Sequence, residues 1–150
     1  MTKNLIASIA LATSALILIP APAEALCVKV PEANLRQGPG THYKKTWTVY
    51  AYMPFKQIGR RGSWYHVSDV DGDRHWILNK LVSRKIRCAV VKKDNVNVRR
   101  GPGTKYPLAD IGKLEKYYSF QVIGKKGSWL KVRDDLGNGG WIAKSLLWVQ

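Results

Sequence analysis

Acidic side chains are scarce in this chain of 150 residues, where 10 Asp and Glu stand against 25 Lys and Arg for a net charge of +15. An imbalance of that size points to an anionic partner, or to a surface that repels its own copies, and says nothing about fold. Cysteine is almost missing: Cys27 and Cys88 are the only two. No C-x-x-C or H-x-x-x-H spacing occurs, and His42, His66 and His75 are scattered, so no zinc framework, metal or cofactor is expected. Helical periodicity is missing too. Past residue 25 no segment keeps apolar residues at a 3.6-residue spacing, which argues against a helical fold.

Only one long apolar run exists, Leu5 to Ile19, and it is short for a span of about 20 residues. Lys3 precedes it and Ala23-Glu24-Ala25 follows. This is the pattern of a secretory signal peptide over 1–25, with a membrane anchor as the rival reading. Leu26 stands before Cys27, where a lipoprotein signal needs a small residue, so lipidation is not expected. The chain therefore reads as exported, to the periplasm or to the cell wall and beyond.

What the chain does have is a motif written twice. Asn34-Leu35-Arg36-Gln37-Gly38-Pro39-Gly40-Thr41 returns as Asn97-Val98-Arg99-Arg100-Gly101-Pro102-Gly103-Thr104. Ile58-Gly59-Arg60-Arg61-Gly62-Ser63-Trp64 returns as Ile123-Gly124-Lys125-Lys126-Gly127-Ser128-Trp129, and Trp76-Ile77 as Trp141-Ile142. The repeat divides the chain into a module at 26–86 and a module at 87–150. Two such modules leave little chain for a separate catalytic domain.

Between turn residues the apolar positions alternate. Tyr118, Phe120 and Val122 alternate with Ser119 and Gln121, and Leu130 and Val132 with Trp129, Lys131 and Arg133. Period two marks half-buried strands, and Asp71-Gly72 between such runs signals a hairpin. Each module reads as about five short strands. A sheet this small has edges and little core, so closure into a small barrel is expected. In Gly-Pro-Gly, glycine permits positive φ and proline fixes its own. No Pro/Gly/Ser linker lies between Leu81 and Arg87, so the modules should sit close together.

Each cysteine falls at the start of one module. In an exported chain an even count at matching positions suggests a Cys27–Cys88 disulfide; two buried thiols or pairing between chains are the alternatives.

The block N-[LV]-R-x-G-P-G-T-x-Y, then G-S-W-x-x-V, then W-I before Leu81-Val82 or Leu146-Leu147, resembles the bacterial SH3-type domain, over nearly all of 27–150 and twice. Module two is the better match. Module one departs at Arg74-His75, where the family usually has glycine. It also departs in spacing: the Tyr43-to-Tyr106 offset of 63 becomes 65 at Gly62 and Gly127, read here as extra residues in module one. The resemblance implies a small β-barrel in exported or envelope proteins, whose members often bind peptidoglycan or target an attached hydrolase to the wall.

Catalysis is not expected. A Cys/His hydrolase needs a nucleophile, a base and an orienting group together. Both cysteines lie on predicted strands, and all three histidines fall in module one. The ligand-binding candidates are the cations and aromatic at the repeated turn: Arg60, Arg61 and Trp64, then Lys125, Lys126 and Trp129, with Lys131 on the strand face of Trp129. Sugar faces stack on indole, and cations attract carboxylates or phosphates. The plainer reading is that these cations are solvated and the tryptophans pack on the motif arginines. Arg36 and Arg99 read as structural, stacked on Trp or paired with an acid such as Asp134. The expected partner is an anionic wall polymer, peptidoglycan first. The rival is a protein-interaction or scaffolding module of the envelope. Nucleic acid would suit the charge, but export argues against it.

Overall fold

Period-two alternation builds strands, and the computed structural model, which describes residues 24–150, is all-β. β1 (Glu24–Val28), β2 (Glu32–Arg36), β3 (Lys45–Tyr50), β4 (Pro54–Arg61), β5 (Trp64–Ser68), β6 (Arg74–Leu78) and β7 (Val82–Ser83) form one antiparallel sheet, ordered β3-β2-β6-β5-β4-β1-β7. β8 (Cys88–Val91), β9 (Val96–Arg99), β10 (Leu108–Leu114), β11 (Ser119–Lys126), β12 (Trp129–Arg133), β13 (Gly139–Ala143) and β14 (Leu147–Val149) repeat that order as β10-β9-β13-β12-β11-β8-β14. β1 begins inside the segment expected to be a leader; the rest of that segment, 1–23, lies outside the described residues.

Two expectations need correction. Each sheet has seven strands rather than about five. The terminal apolar pairs straddle the ends of short 3-10 turns (Asn79–Leu81, Lys144–Leu146), and their second residues, Val82 and Leu147, open β7 beside β1 and β14 beside β8. The sheets also stay open, with β3 and β7, or β10 and β14, as their edges. Closure is not needed to bury the core, because each open sheet curls around it: Leu26, Leu35, Val49, Phe55, Val67, Ile77 and Val82, one from each strand of the first sheet, share one apolar cluster.

The two sheets meet through their first strands, which are buried on both faces and so read as unbroken apolar runs. Leu26 and Val28 face the first core, which turns the intervening Cys27 the other way. Ala89 and Val91 face the second core, whereas Val90 belongs to the first, joined there by Trp148. Cys27 and Cys88 close the disulfide, with Cα atoms 6.0 Å apart. Their positions do not match, contrary to the sequence reading. Cys27 pairs with Pro54, just before Phe55, and the residue so placed in the second sheet is Val90, opposite Ser119 before Phe120.

Around this seam the Ser119 hydroxyl donates to the Ala51 carbonyl at 2.8 Å. Lys116 Nζ and Tyr117 Oη donate to the two Asp71 carboxylate oxygens at 2.8 and 2.5 Å. The Trp47 and Tyr117 rings meet edge to face, 5.1 Å between centroids.

The two-residue length difference lies in module two, not module one. Arg36 pairs with Lys45 and Arg99 with Leu108, but the next matched partners are Thr48 and Lys113, so β10 carries the longer bulge. Gly112 sits in that bulge at φ 72°.

Candidate ligand-binding face

Gly62 and Gly127 have φ of 58° and 56°, which suits the first central position of a two-residue hairpin loop, where glycine is at home. The turn joins Arg61 opposite Trp64 and Lys126 opposite Trp129. Successive side chains in a strand point to opposite faces. The neighbouring cations are therefore split from the indole: Arg60 is opposite Tyr65 and Lys125 opposite Leu130. The Arg60 guanidinium lies 5.7 Å over the Tyr65 ring, and its Nε donates to the Gly62 carbonyl at 2.8 Å. Of each expected pair of cations, only the second shares a face with tryptophan.

In module two that face widens. Lys131, two residues past Trp129, is opposite Trp141, and Trp141 is opposite Arg99. Lys126, Trp129, Lys131, Trp141 and Arg99 thus share the outer face of adjacent strands. Beside Trp129 is a hollow of about 240 Å³ lined by Lys93, Asn97, Arg99 and Thr104. Asn97 Oδ1 is buried there with no hydrogen-bond partner among the described residues. A buried acceptor left unpaired is costly, and that cost distinguishes this face from its counterpart in module one.

Module one closes the same face. Thr48 Oγ1 donates to Asn34 Oδ1 at 3.1 Å, which satisfies the amide matching Asn97. His66, matching Lys131, stacks on Trp76 at 4.4 Å with planes 9° apart. Burial under that stack, and then the charge of Arg74, hold the His66 pKa below 6.5. Sequence reasoning overlooked Asn97 and Trp141; the available signal was the lysine, Lys113, opposite Asn97 where Asn34 faces a threonine.

The motif arginines are structural, as read, but by another contact. Arg36 and Arg99 each donate to a backbone carbonyl, of Tyr43 and Tyr106, at 2.9 Å. They clamp the Gly-Pro-Gly loop. The first glycine of each loop is needed for space rather than for positive φ: a Cβ on Gly101 would meet the Tyr106 ring at 2.4 Å, and one on Gly38 the Tyr43 ring at 2.5 Å.

Asp134 does not pair with an arginine. It is buried and accepts from the Leu136 and Asn138 amides at 3.0 and 2.8 Å and from the Tyr118 hydroxyl at 2.8 Å. Burial, reinforced by this bond to Asp134, pushes the Tyr118 pKa up to about 12. In module one Asp69 organises the same hairpin, and its third partner is His75, whose Nε2 donates at 3.1 Å while Nδ1 faces the Thr46 hydroxyl at 2.9 Å. His75 is thus a buried residue that holds this hairpin.

Among the described residues no cluster of His, Cys, Asp and Glu is placed to hold a metal, and no helix is long and apolar enough to cross a membrane.

A probable cell wall amidase, LytH of Staphylococcus aureus, is 45% identical over 51 residues, which is 33% of this chain and 17% of that protein. The Staphylococcus epidermidis counterpart is 41% identical over the same length. The chain thus matches only a small part of these curated relatives. Among solved structures, NlpC1 from Trichomonas vaginalis aligns with a TM-score of 0.38 at 12% identity, over 93% of this chain and 50% of that one. The endolysin LysPBC5 CBD aligns with a TM-score of 0.34 at 16% identity, over 88% of this chain and 97% of that one. The family model of the bacterial SH3 domain matches residues 29–84 and again 92–149, and the chain belongs to that family.

Proposed function

We propose that this protein is an exported, non-catalytic binding protein of the bacterial envelope, with modules at 26–86 and 87–150, and that it binds an anionic wall polymer, peptidoglycan first. The observation that carries the reading is the outer face of module two. There Lys126 and Lys131 flank Trp129, beside a hollow with an unpaired amide oxygen. A polymer of acylated amino sugars bearing short acidic peptides offers what this face lacks: sugar faces for the indole and carboxylates for the lysines. The net charge of +15 adds long-range attraction. Relatives named as probable cell wall amidases contain a segment like this one, which suits a wall-targeting module.

Module one contributes less, because its matching amide is satisfied and His66 caps Trp76. Co-sedimentation with purified insoluble peptidoglycan tests the reading. Retention at low salt that falls as salt rises supports it; absence from the pellet at low salt rejects it and favours a protein-interaction role in the envelope.

A further inference from the structure

The seam between the sheets carries a cleft that the Trp129 face does not use. It encloses about 480 Å³ between the edge strand β3 and the stretch from Glu115 to Ser119. Three features of its walls stand out. Residues 47–51 line it as a continuous strip, and β3 pairs with β2 only, so its other edge has no partner strand among the described residues. An unpaired edge is a template for an added extended chain. The walls are aromatic: Trp47 and Tyr50 on one side, Tyr117 and Tyr118 on the other, with Tyr50 61% exposed.

The third feature is charge. In a chain of net charge +15, this cleft is lined by Glu115, Asp134 and Asp135 against a single lysine. That lysine, Lys116, is already paired with Asp71. Asp134 is committed to Tyr118 and its hairpin amides. Glu115 and Asp135 are exposed. An ammonium group is attracted to aromatic faces and to carboxylates alike.

We propose that this cleft is a second binding site, for an extended peptide that pairs with the free edge of β3 and places a lysine-type ammonium side chain between the tyrosines and the Glu115/Asp135 carboxylates. The Cys27–Cys88 bridge and the Asp71 contacts hold the two walls in place before binding, which spares the cost of ordering them. Overall positive charge opposes a cationic peptide at long range, so selectivity here is a short-range property of the cleft. The site is separate from the Trp129 face, so failure of wall binding leaves it standing.

The probe is a capped pentapeptide with one lysine flanked by alanines, compared with its Nε-acetyl-lysine and glutamate counterparts in an amide NMR titration of the oxidised protein. The lysine peptide should shift the amides of 47–51 and 115–119. Acetylation should weaken binding by about five-fold, as should Asp135→Asn combined with Glu115→Gln. Both substituted residues are exposed, and an unchanged amide spectrum elsewhere confirms that the variant is folded. Shifts confined to other regions, no shifts at millimolar peptide, equal binding of the acetylated or glutamate peptide, or undiminished binding by the variant would each overturn the proposal.

Discussion

Cys27 and Cys88 are bonded to each other although they occupy different places in their sheets, one opposite Pro54 and the other opposite Gln121. The bridge joins equivalent strands, but not at equivalent positions. It joins the two side chains that the pleat turns away from their own cores and into the seam. The bond closes a loop spanning 61 positions. In the chain-entropy model a loop of that size stabilises by about 4 kcal/mol. The double substitution Cys27→Ala, Cys88→Ala should lower the urea midpoint accordingly and separate one unfolding transition into two. An unchanged midpoint would show that the packed seam alone couples the sheets.

Asp71 reaches from a hairpin of module one to Lys116 and Tyr117 of module two. Hydrogen bonds from Lys116 and then Tyr117 hold its carboxyl below its ordinary 3.8. A group depressed on folding stabilises above its unfolded value, and that contribution is lost as pH falls through the depressed one. Carboxyl-carbon NMR should therefore place the Asp71 midpoint below 3.8. An Asp71 midpoint at the ordinary value would mean that the contact does not persist in solution.

Tyr118 gives the opposite end of the pH scale. Its pKa is raised from 10.0 to about 12, so its contribution is complete below pH 10 and disappears as pH rises through about 12. In an ultraviolet phenolate titration, Tyr118→Phe should remove the latest-rising step. Loss of a step at the ordinary value would show that neither the burial nor the Asp134 bond persists in solution.

Two glycines of one loop separate space from flexibility. A Cβ on Gly101 would press into the Tyr106 ring, whereas one on Gly103 would stand 3.5 Å from it, an ordinary contact. Gly101→Ala should cost about 1–3 kcal/mol, as overpacking does, and Gly103→Ala much less. Equal midpoints in urea would contradict the packing role.

The architecture was legible because strands announce themselves locally. Alternation located half of β11 and all of β12, and the repeated turn residues located the hairpins. Strand count and closure were not, because the two or three residues of β7 and β14 pair only after a 3-10 turn brings them back beside β1 and β8. The site was half legible. Repetition pointed to the Gly-Ser-Trp turns, but neighbours in sequence are not neighbours on a pleated ribbon, so Lys125 and Arg60 left the face that Lys126 and Arg61 kept. Asn97 and Asn34 look identical in the motif. Only the cross-strand partner, Lys113 or Thr48, makes one amide oxygen free and the other satisfied.

The most direct test is co-sedimentation of Trp129→Ala, Lys126→Glu with insoluble peptidoglycan at low salt, beside the wild type and the single substitution Lys125→Glu. Both cationic substitutions remove the same charge, but only Lys126 shares the face of Trp129. The account predicts that the double variant loses about thirty-fold in affinity while Lys125→Glu stays within about two-fold, since a well-placed aromatic and a charge each contribute about 1 kcal/mol. Equal retention of all three proteins would contradict it.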